Sequence, residues 1–301
     1  MLTERDLKGI FVPTVTPFLP DNELDVSSYQ NYLGNLLTYD IQGLVINGTT
    51  GECPTVSLEE VAQLVKLTKE VILGVKKQVP IVIGTGTNDT ISTIRRTELA
   101  GQLGADAALV VIPYYSRPSQ EGILEHYRLL SQVGVPIIAY EVPSRTGVRL
   151  TNDTARRIMD LQGVIGLKDS SGGIELISEL TRFDTKPVLC GDDLYYYAML
   201  SKGAMGGILA SANVHTQAFI DVYNLFTKGD MNTAKANFDL LFPLIQLLFQ
   251  ESNPSPIKWI LHQQGILASD QLRLPMTSIS EQLQAELEKQ FQHLFTVSHC
   301  D

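Results

Sequence analysis

The chain has 301 residues, 44% of them hydrophobic and 19% charged, and its formal net charge is −10. The composition is that of a globular protein, and an acidic balance without any basic run excludes the electrostatic footprint of a nucleic-acid binder. Cys53, Cys190 and Cys300 are too few and too widely spaced for a zinc pattern or a disulfide framework.

A chain of this length buries roughly 75% of its unfolded surface and needs no metal or disulfide staple. Glu4, Arg5, Asp6 and Lys8 precede any apolar run, unlike a signal peptide. The most apolar stretch, residues 240–249, is interrupted by Pro243 and Gln246 and falls short of the roughly 18 residues of a membrane span. A cytoplasmic location and no membrane contact are expected.

Eight short apolar runs, each bounded by turn residues, read as strands: 9–14, 43–47, 81–84, 107–112, 137–142, 164–168, 188–191 and 206–210. Between them lie segments with apolar residues at helical spacing, such as Leu58, Val61, Leu64, Val65 and Ile72. Start signals agree: Ser57 is followed by Glu60 three residues on, and Thr151 precedes Ala155 and Ile158. Eight βα units in about 225 residues predict an α/β fold, a (β/α)8 TIM barrel, over a doubly wound sheet. After Gly229 the strands stop. Helix-like segments at 231–249, 256–264 and 280–295 predict a C-terminal helical appendage, with Leu283, Leu287, Phe291 and Leu294 as the apolar stripe of the last helix. The expected division is a barrel at 1–229 and a helical unit at 230–301.

Function in such a barrel collects at the C-terminal ends of the strands. Strand six ends in Lys168, directly before a polar, glycine-ended turn. An ammonium there either snorkels to solvent or is partly desolvated, which favours the neutral amine and a nucleophilic role. Tyr140 ends strand five, beside strand six, where a phenol could pass protons to a lysine adduct or simply pack. Gly48-Thr-Thr-Gly51 either closes a plain turn or aims backbone amides and two hydroxyls at an anion. Arg145, in the loop after strand five, can clamp a carboxylate. Tyr114 and Tyr115 read equally as half-buried aromatics. Gly203–207 resembles a phosphate-loop composition without a following cation. Asp192-Asp193 precedes a helix-like segment, so helix capping is the expected role. The five histidines form no metal pattern, and no metal or cofactor is expected.

Together, Gly48-Thr-Thr-Gly-Glu52, Tyr114-Tyr-Ser-Arg-Pro-Ser-Gln-Glu-Gly122 and Val164-Ile-Gly-Leu-Lys168 make the chain resemble the dihydrodipicolinate synthases. These lie within the pyruvate-dependent class I aldolase family that also holds N-acetylneuraminate lyase. The likeness runs from residue 9 to residue 276, and Val142-Pro-Ser-Arg-Thr-Gly147 favours the synthases. The resemblance implies that Lys168 forms an imine with pyruvate and that Tyr140 moves protons around it. It implies that Thr49 and Tyr115 complete a hydroxyl relay, Tyr115 from a neighbouring subunit. Thr50 and the carbonyl of Ile208 would bind pyruvate, Gly191 would form pocket wall, and Arg145 would receive the carboxylate of L-aspartate-4-semialdehyde. A homotetramer, a dimer of dimers, is implied as well.

Two departures stand out. Glu141 occupies a place where a neutral residue is expected; strand alternation should turn it away from Tyr140. At the subunit-interface pocket where lysine inhibits some relatives, Leu58, Val61 and Ser92 stand where two histidines and a glutamate are expected. Asn88 is kept, and weak or absent lysine inhibition follows. A sister aldolase taking another aldehyde, or a barrel that only senses a small acid, would share much of this pattern.

Overall fold

Strand by strand, the chain buries both faces of its apolar runs. In the computed structural model, which describes residues 1–297 and side chains as far as residue 290, every residue of β1 (Gly9–Pro13), β2 (Gly43–Ile46), β5 (Ile137–Glu141) and β6 (Val164–Asp169) is buried. A strand dry on both faces needs a covering layer on each side. With β3 (Ile81–Gly84), β4 (Ala107–Val111), β7 (Val188–Cys190) and β8 (Gly206–Ile208), the eight pair in parallel and in sequence order, and β1 closes on β8. The sheet is a closed (β/α)8 barrel. Most strands are a residue or two shorter than the apolar runs, because the last residues peel away to start the loops that carry the site. Residues 210–213, for instance, leave β8 as a short 3-10 turn.

Alternation divides the strand residues between two cores. Phe11, Val45, Val82, Leu109, Ile138, Tyr140, Leu189 and Ile208 fill the barrel interior, with Leu2 and Leu7 in the same cluster. Ile10, Leu44, Ile83, Val110, Ile137 and Leu167 face the helices instead. The surrounding helices are α1 (Val26–Leu36), α2 (Leu58–Gly74), α3 (Thr90–Gln102), α4 (Gln120–Leu130), α5 (Pro143–Thr146), α6 (Asn152–Asp160), α7 (Glu175–Leu180), α8 (Tyr196–Leu200) and α9 (Thr216–Thr227). Ser57 and Glu60 close the capping box at the start of α2, and the Thr151 hydroxyl accepts from the Thr154 amide at α6. Leu58, however, is exposed, because it occupies the first position of α2 before the helix turns its apolar face inward at Val61.

The C-terminal helices are α10 (Met231–Leu248), α11 (Ser255–Gln263) and α12 (Glu281–Val297). Residues Ser255 to Leu261 of α11 are all buried, Lys258 included. A helix apolar on every side belongs inside the molecule, not on its surface. Leu283 and Leu287 of α12 are buried as expected; Phe291 and Leu294 lie outside the described side chains. No helix among the described residues is long and apolar enough to cross a membrane.

Candidate active site

The site starts from an irregularity in β6. Ile137 pairs with Val164 but Ile138 pairs with Gly166, so one extra residue is inserted at the β5–β6 junction. A bulge of this kind shifts the register of everything after it. Here it sets Lys168 opposite Tyr140, so both side chains turn into the barrel. Gly166 is required at the bulge, since a Cβ there would lie 2.6 Å from Leu7 Cδ1 and 2.8 Å from the Pro187 carbonyl oxygen.

Lys168 and Tyr140 are each 6% exposed, and the Lys168 Nζ stands 4.2 Å from the centre of the Tyr140 ring. Gly191 backs the lysine: a Cβ there would meet Lys168 Cε at 2.6 Å and Cγ at 2.7 Å. Its bare Cα lets the Lys168 chain lie against the end of β7. Ile208 faces the same interior from β8.

Above Tyr140 opens a cavity of about 290 Å³ whose lining includes Thr49, Cys53, Tyr114, Tyr140, Arg145 and Met276. Lys168 is not in that lining; its Nζ lies over the face of the Tyr140 ring, which is part of it. Thr50, Gly191 and Ile208 likewise do not line it. Arg145 sits on α5, a four-residue helix that Pro143 starts and Gly147 ends in a left-handed conformation with φ 73°. Its side chain is exposed and unpaired with any acid by ion pairing among the described residues. A small carboxylate in this cavity therefore finds one cation, at the mouth.

The threonine turn is anchored from the C-terminal helices. Thr49–Gly51 form a 3-10 turn that ends at Glu52, held at φ 57°. Asn253 Nδ2 donates to Thr50 Oγ1 at 3.1 Å, just before α11. Lys258 Nζ donates to Glu52 Oε1 at 2.7 Å and to the Thr16 carbonyl at 2.9 Å. The Arg273 amide reaches the other Glu52 oxygen at 3.2 Å, and both cations stack on Phe18. Burial pulls the Lys258 pKa down, against the opposing charge of Glu52.

Asp193 corrects the capping expectation. Its carboxylate is wholly buried and accepts from the Ser211 amide at 2.6 Å, bridging the β7 and β8 loops instead of capping its own segment. A helix-start pattern in the sequence could not reveal that neighbour. Burial pushes Asp193 up to about 6, and the Lys168 charge pulls against that shift. Cys53 was singled out only as a cysteine, yet it lines the cavity; burial raises its thiol to about 11, so it stays protonated near neutral pH. Lys258 and Asn253 were also missed. The available signal was a lone lysine inside Ile257, Trp259, Ile260 and Leu261, which are apolar around the whole helix.

Tyr115 is not brought to the cavity of its own chain. It is 88% exposed, with φ 70°, and Arg117 two residues on has φ 48°. The doubly kinked loop throws the ring outward. Among the described residues no hydrogen bond joins Thr49, Tyr140 and Tyr115. Glu141 does turn away from Tyr140, and it is completely buried.

A family model of the dihydrodipicolinate synthetase family matches residues 6–294. The chain belongs to this family. It is 39% identical over 288 residues to the 4-hydroxy-tetrahydrodipicolinate synthase of Coxiella burnetii, a match covering 95% of this chain and 98% of that relative. Among solved structures, the dihydrodipicolinate synthase of Thermotoga maritima superposes with a TM-score of 0.91 at 33% identity, covering 95% of this chain and 98% of the other. The chloride-inhibited enzyme of Acinetobacter baumannii, complexed with pyruvate, gives 0.90 at 36% identity, with 95% and 98% covered. The match spans barrel and C-terminal helices alike.

Proposed function

We propose that the chain is a 4-hydroxy-tetrahydrodipicolinate synthase, a lyase that condenses pyruvate with L-aspartate-4-semialdehyde through an imine on Lys168. The observation that carries this reading is the buried Lys168 amine, 4.2 Å from the Tyr140 ring that forms part of the cavity's wall. The neutral amine attacks the pyruvate ketone and water leaves, giving a protonated imine. That cation draws electrons, so a methyl proton departs and an enamine forms. The enamine carbon bonds to the aldehyde carbon of the semialdehyde, whose oxygen takes up a proton. The semialdehyde's own amino group then attacks the imine carbon, closing the ring and expelling Lys168. One water is released overall.

The residues suit these steps. The Lys168 nitrogen lies over the Tyr140 ring, so the Tyr140 phenol would serve the protons that move there, and Thr49 lines the same cavity as Tyr140. Thr50, its oxygen fixed by Asn253, would donate its hydroxyl to the pyruvate carboxylate, while the Ile208 carbonyl would line the pyruvate site as an acceptor and Gly191 would shape the wall behind Lys168. Arg145 would receive the semialdehyde carboxylate at the mouth. Tyr115 would complete the relay in the site of a second copy, which fits a large aromatic left 88% exposed on its own chain. This reading carries a homotetramer, a dimer of dimers, in the cytoplasm, and the division at 229/230.

The test is product formation from pyruvate with a panel of aldehydes. Cyclic product from L-aspartate-4-semialdehyde, absent in Lys168→Ala, is expected. Turnover with a sugar-acid aldehyde and none with the semialdehyde would overturn the reading in favour of a sister aldolase.

A further inference from the structure

Behind the Tyr140–Lys168 pair, on the outer face of the same two strands, stands a second pair of register partners: Glu141 and Asp169. Both side chains are wholly buried. Register partners on neighbouring strands lie about 4.8 Å apart, side by side on one face. Each carboxyl has one oxygen fixed by a backbone amide. Glu141 Oε1 accepts from the Leu150 amide at 2.9 Å, and Asp169 Oδ1 accepts from the Ser171 amide at 2.9 Å. The other two oxygens, Glu141 Oε2 and Asp169 Oδ2, are buried without a hydrogen-bond partner among the described residues.

Two ionised carboxylates in that position would each carry an unpaired charge into a dry layer, next to a like charge. One proton satisfies both, because a protonated carboxyl becomes a donor to its ionised neighbour. We propose that Glu141 holds a proton and donates it to Asp169, and that this shared proton ties the ends of β5 and β6 together, positioning Tyr140 against Lys168. The positioning role rests on the synthase reading; the shared proton does not.

The proton is assigned to Glu141 for two reasons. Desolvation and the Asp169 charge push Glu141 up to about 7. Burial also raises Asp169, but its hydrogen bond from the Ser171 amide opposes that shift and favours its ionised form. The other charged or titratable groups near the pair do not replace the proton. Arg149, before α6, lowers both but is exposed, so solvent screens it; half-buried Asp192, after β7, raises Asp169. The Tyr127 phenol on α4 and the Cys190 thiol on β7 are both raised by burial and stay neutral.

The sign of the pH dependence follows. A carboxyl with a folded-state pKa raised above its ordinary 4.5 stabilises the fold fully below that value. That contribution is lost as pH rises through about 7, when Glu141 ionises. Infrared spectra of the wild type and Glu141→Gln, titrated from pH 5 to 9, read the proton directly. A protonated-carboxyl band present in the wild type, missing in the variant and titrating at or above about 7 is expected; the difference spectrum cancels Asp193. The melting temperature of the wild type should fall against that of the variant over the same range. Superimposable spectra and melting profiles would overturn the shared proton, whatever the enzyme's activity.

The activity arm tests positioning. Glutamine keeps an N–H donor toward Asp169 and cannot ionise. Wild-type kcat should therefore show an alkaline loss at or above about 7 that Glu141→Gln lacks, while Glu141→Ala should lose kcat at least tenfold at pH 6 without a matching rise in KM. Identical kcat–pH profiles in wild type and glutamine variant would overturn the positioning role even if the band is seen.

Discussion

Among single residues, the proposed chemistry turns on which group moves protons around one lysine. Tyr140 and Tyr115 are assigned proton transfer, and positioned groups of that kind contribute roughly 10²–10⁴-fold to rate. Tyr140→Phe and Tyr115→Phe should each lower kcat by that amount, measured in steady state with both substrates saturating. The two differ in kind. Tyr140 stands beside its own Lys168, whereas Tyr115 points away from its own cavity. Mixed oligomers of Tyr115→Phe and Lys168→Ala subunits should therefore regain activity, because some sites then combine an intact lysine with an intact tyrosine. Failure of every mixture to exceed the parent variants would place Tyr115 outside the relay. The placement of Lys168, Tyr140 and Arg145 at or after strand ends could be read from the chain, because each ends or follows an apolar run. Asp193 could not: its partner, Ser211, is 18 residues away on the next strand's loop.

At the scale of elements, the turn after β2 is held less by its own strand than by α11. Glu52 and Lys258 are buried at 2.7 Å, and their relative exposures are 1% and 0%. Removing one member of such a pair leaves an uncompensated buried charge and costs about 3–5 kcal/mol. Lys258→Met should show that loss in chemical denaturation, and Glu52→Gln with Lys258→Met together should recover most of it. A single variant as stable as the wild type would contradict the buried pair. The eight strands, the capping box at α2 and the three late helices were legible because each follows from local periodicity or spacing. The bulge that aligns Lys168 with Tyr140 was not. Gly166 sits inside an unbroken apolar run, and only the approach of Leu7 and Pro187 shows why no side chain fits there. The tether from α11 escaped for a similar reason, since it joins residues 206 apart in sequence.

At the level of the whole molecule, a net charge of −10 offers an anionic substrate no long-range attraction, so on the proposed reading capture would fall to Arg145 and the threonine turn. Leu58 and Val61 offer lysine no hydrogen bond, and Val61 is buried in its own helix packing. Losing one charge-assisted bond weakens binding by roughly 1.5–3 kcal/mol, about one to two decades in affinity. L-lysine titrated into the synthase assay should inhibit weakly or not at all; half-inhibition at submillimolar lysine would show a rebuilt pocket.

The central claim is that pyruvate becomes covalently bound to Lys168. Borohydride reduction in the presence of pyruvate, followed by intact mass and peptide mapping, tests it most directly. One reduced pyruvate adduct per chain is expected, located on Lys168 and absent from Lys168→Ala. An adduct on any other lysine, or none on the wild type while product still forms, would contradict it.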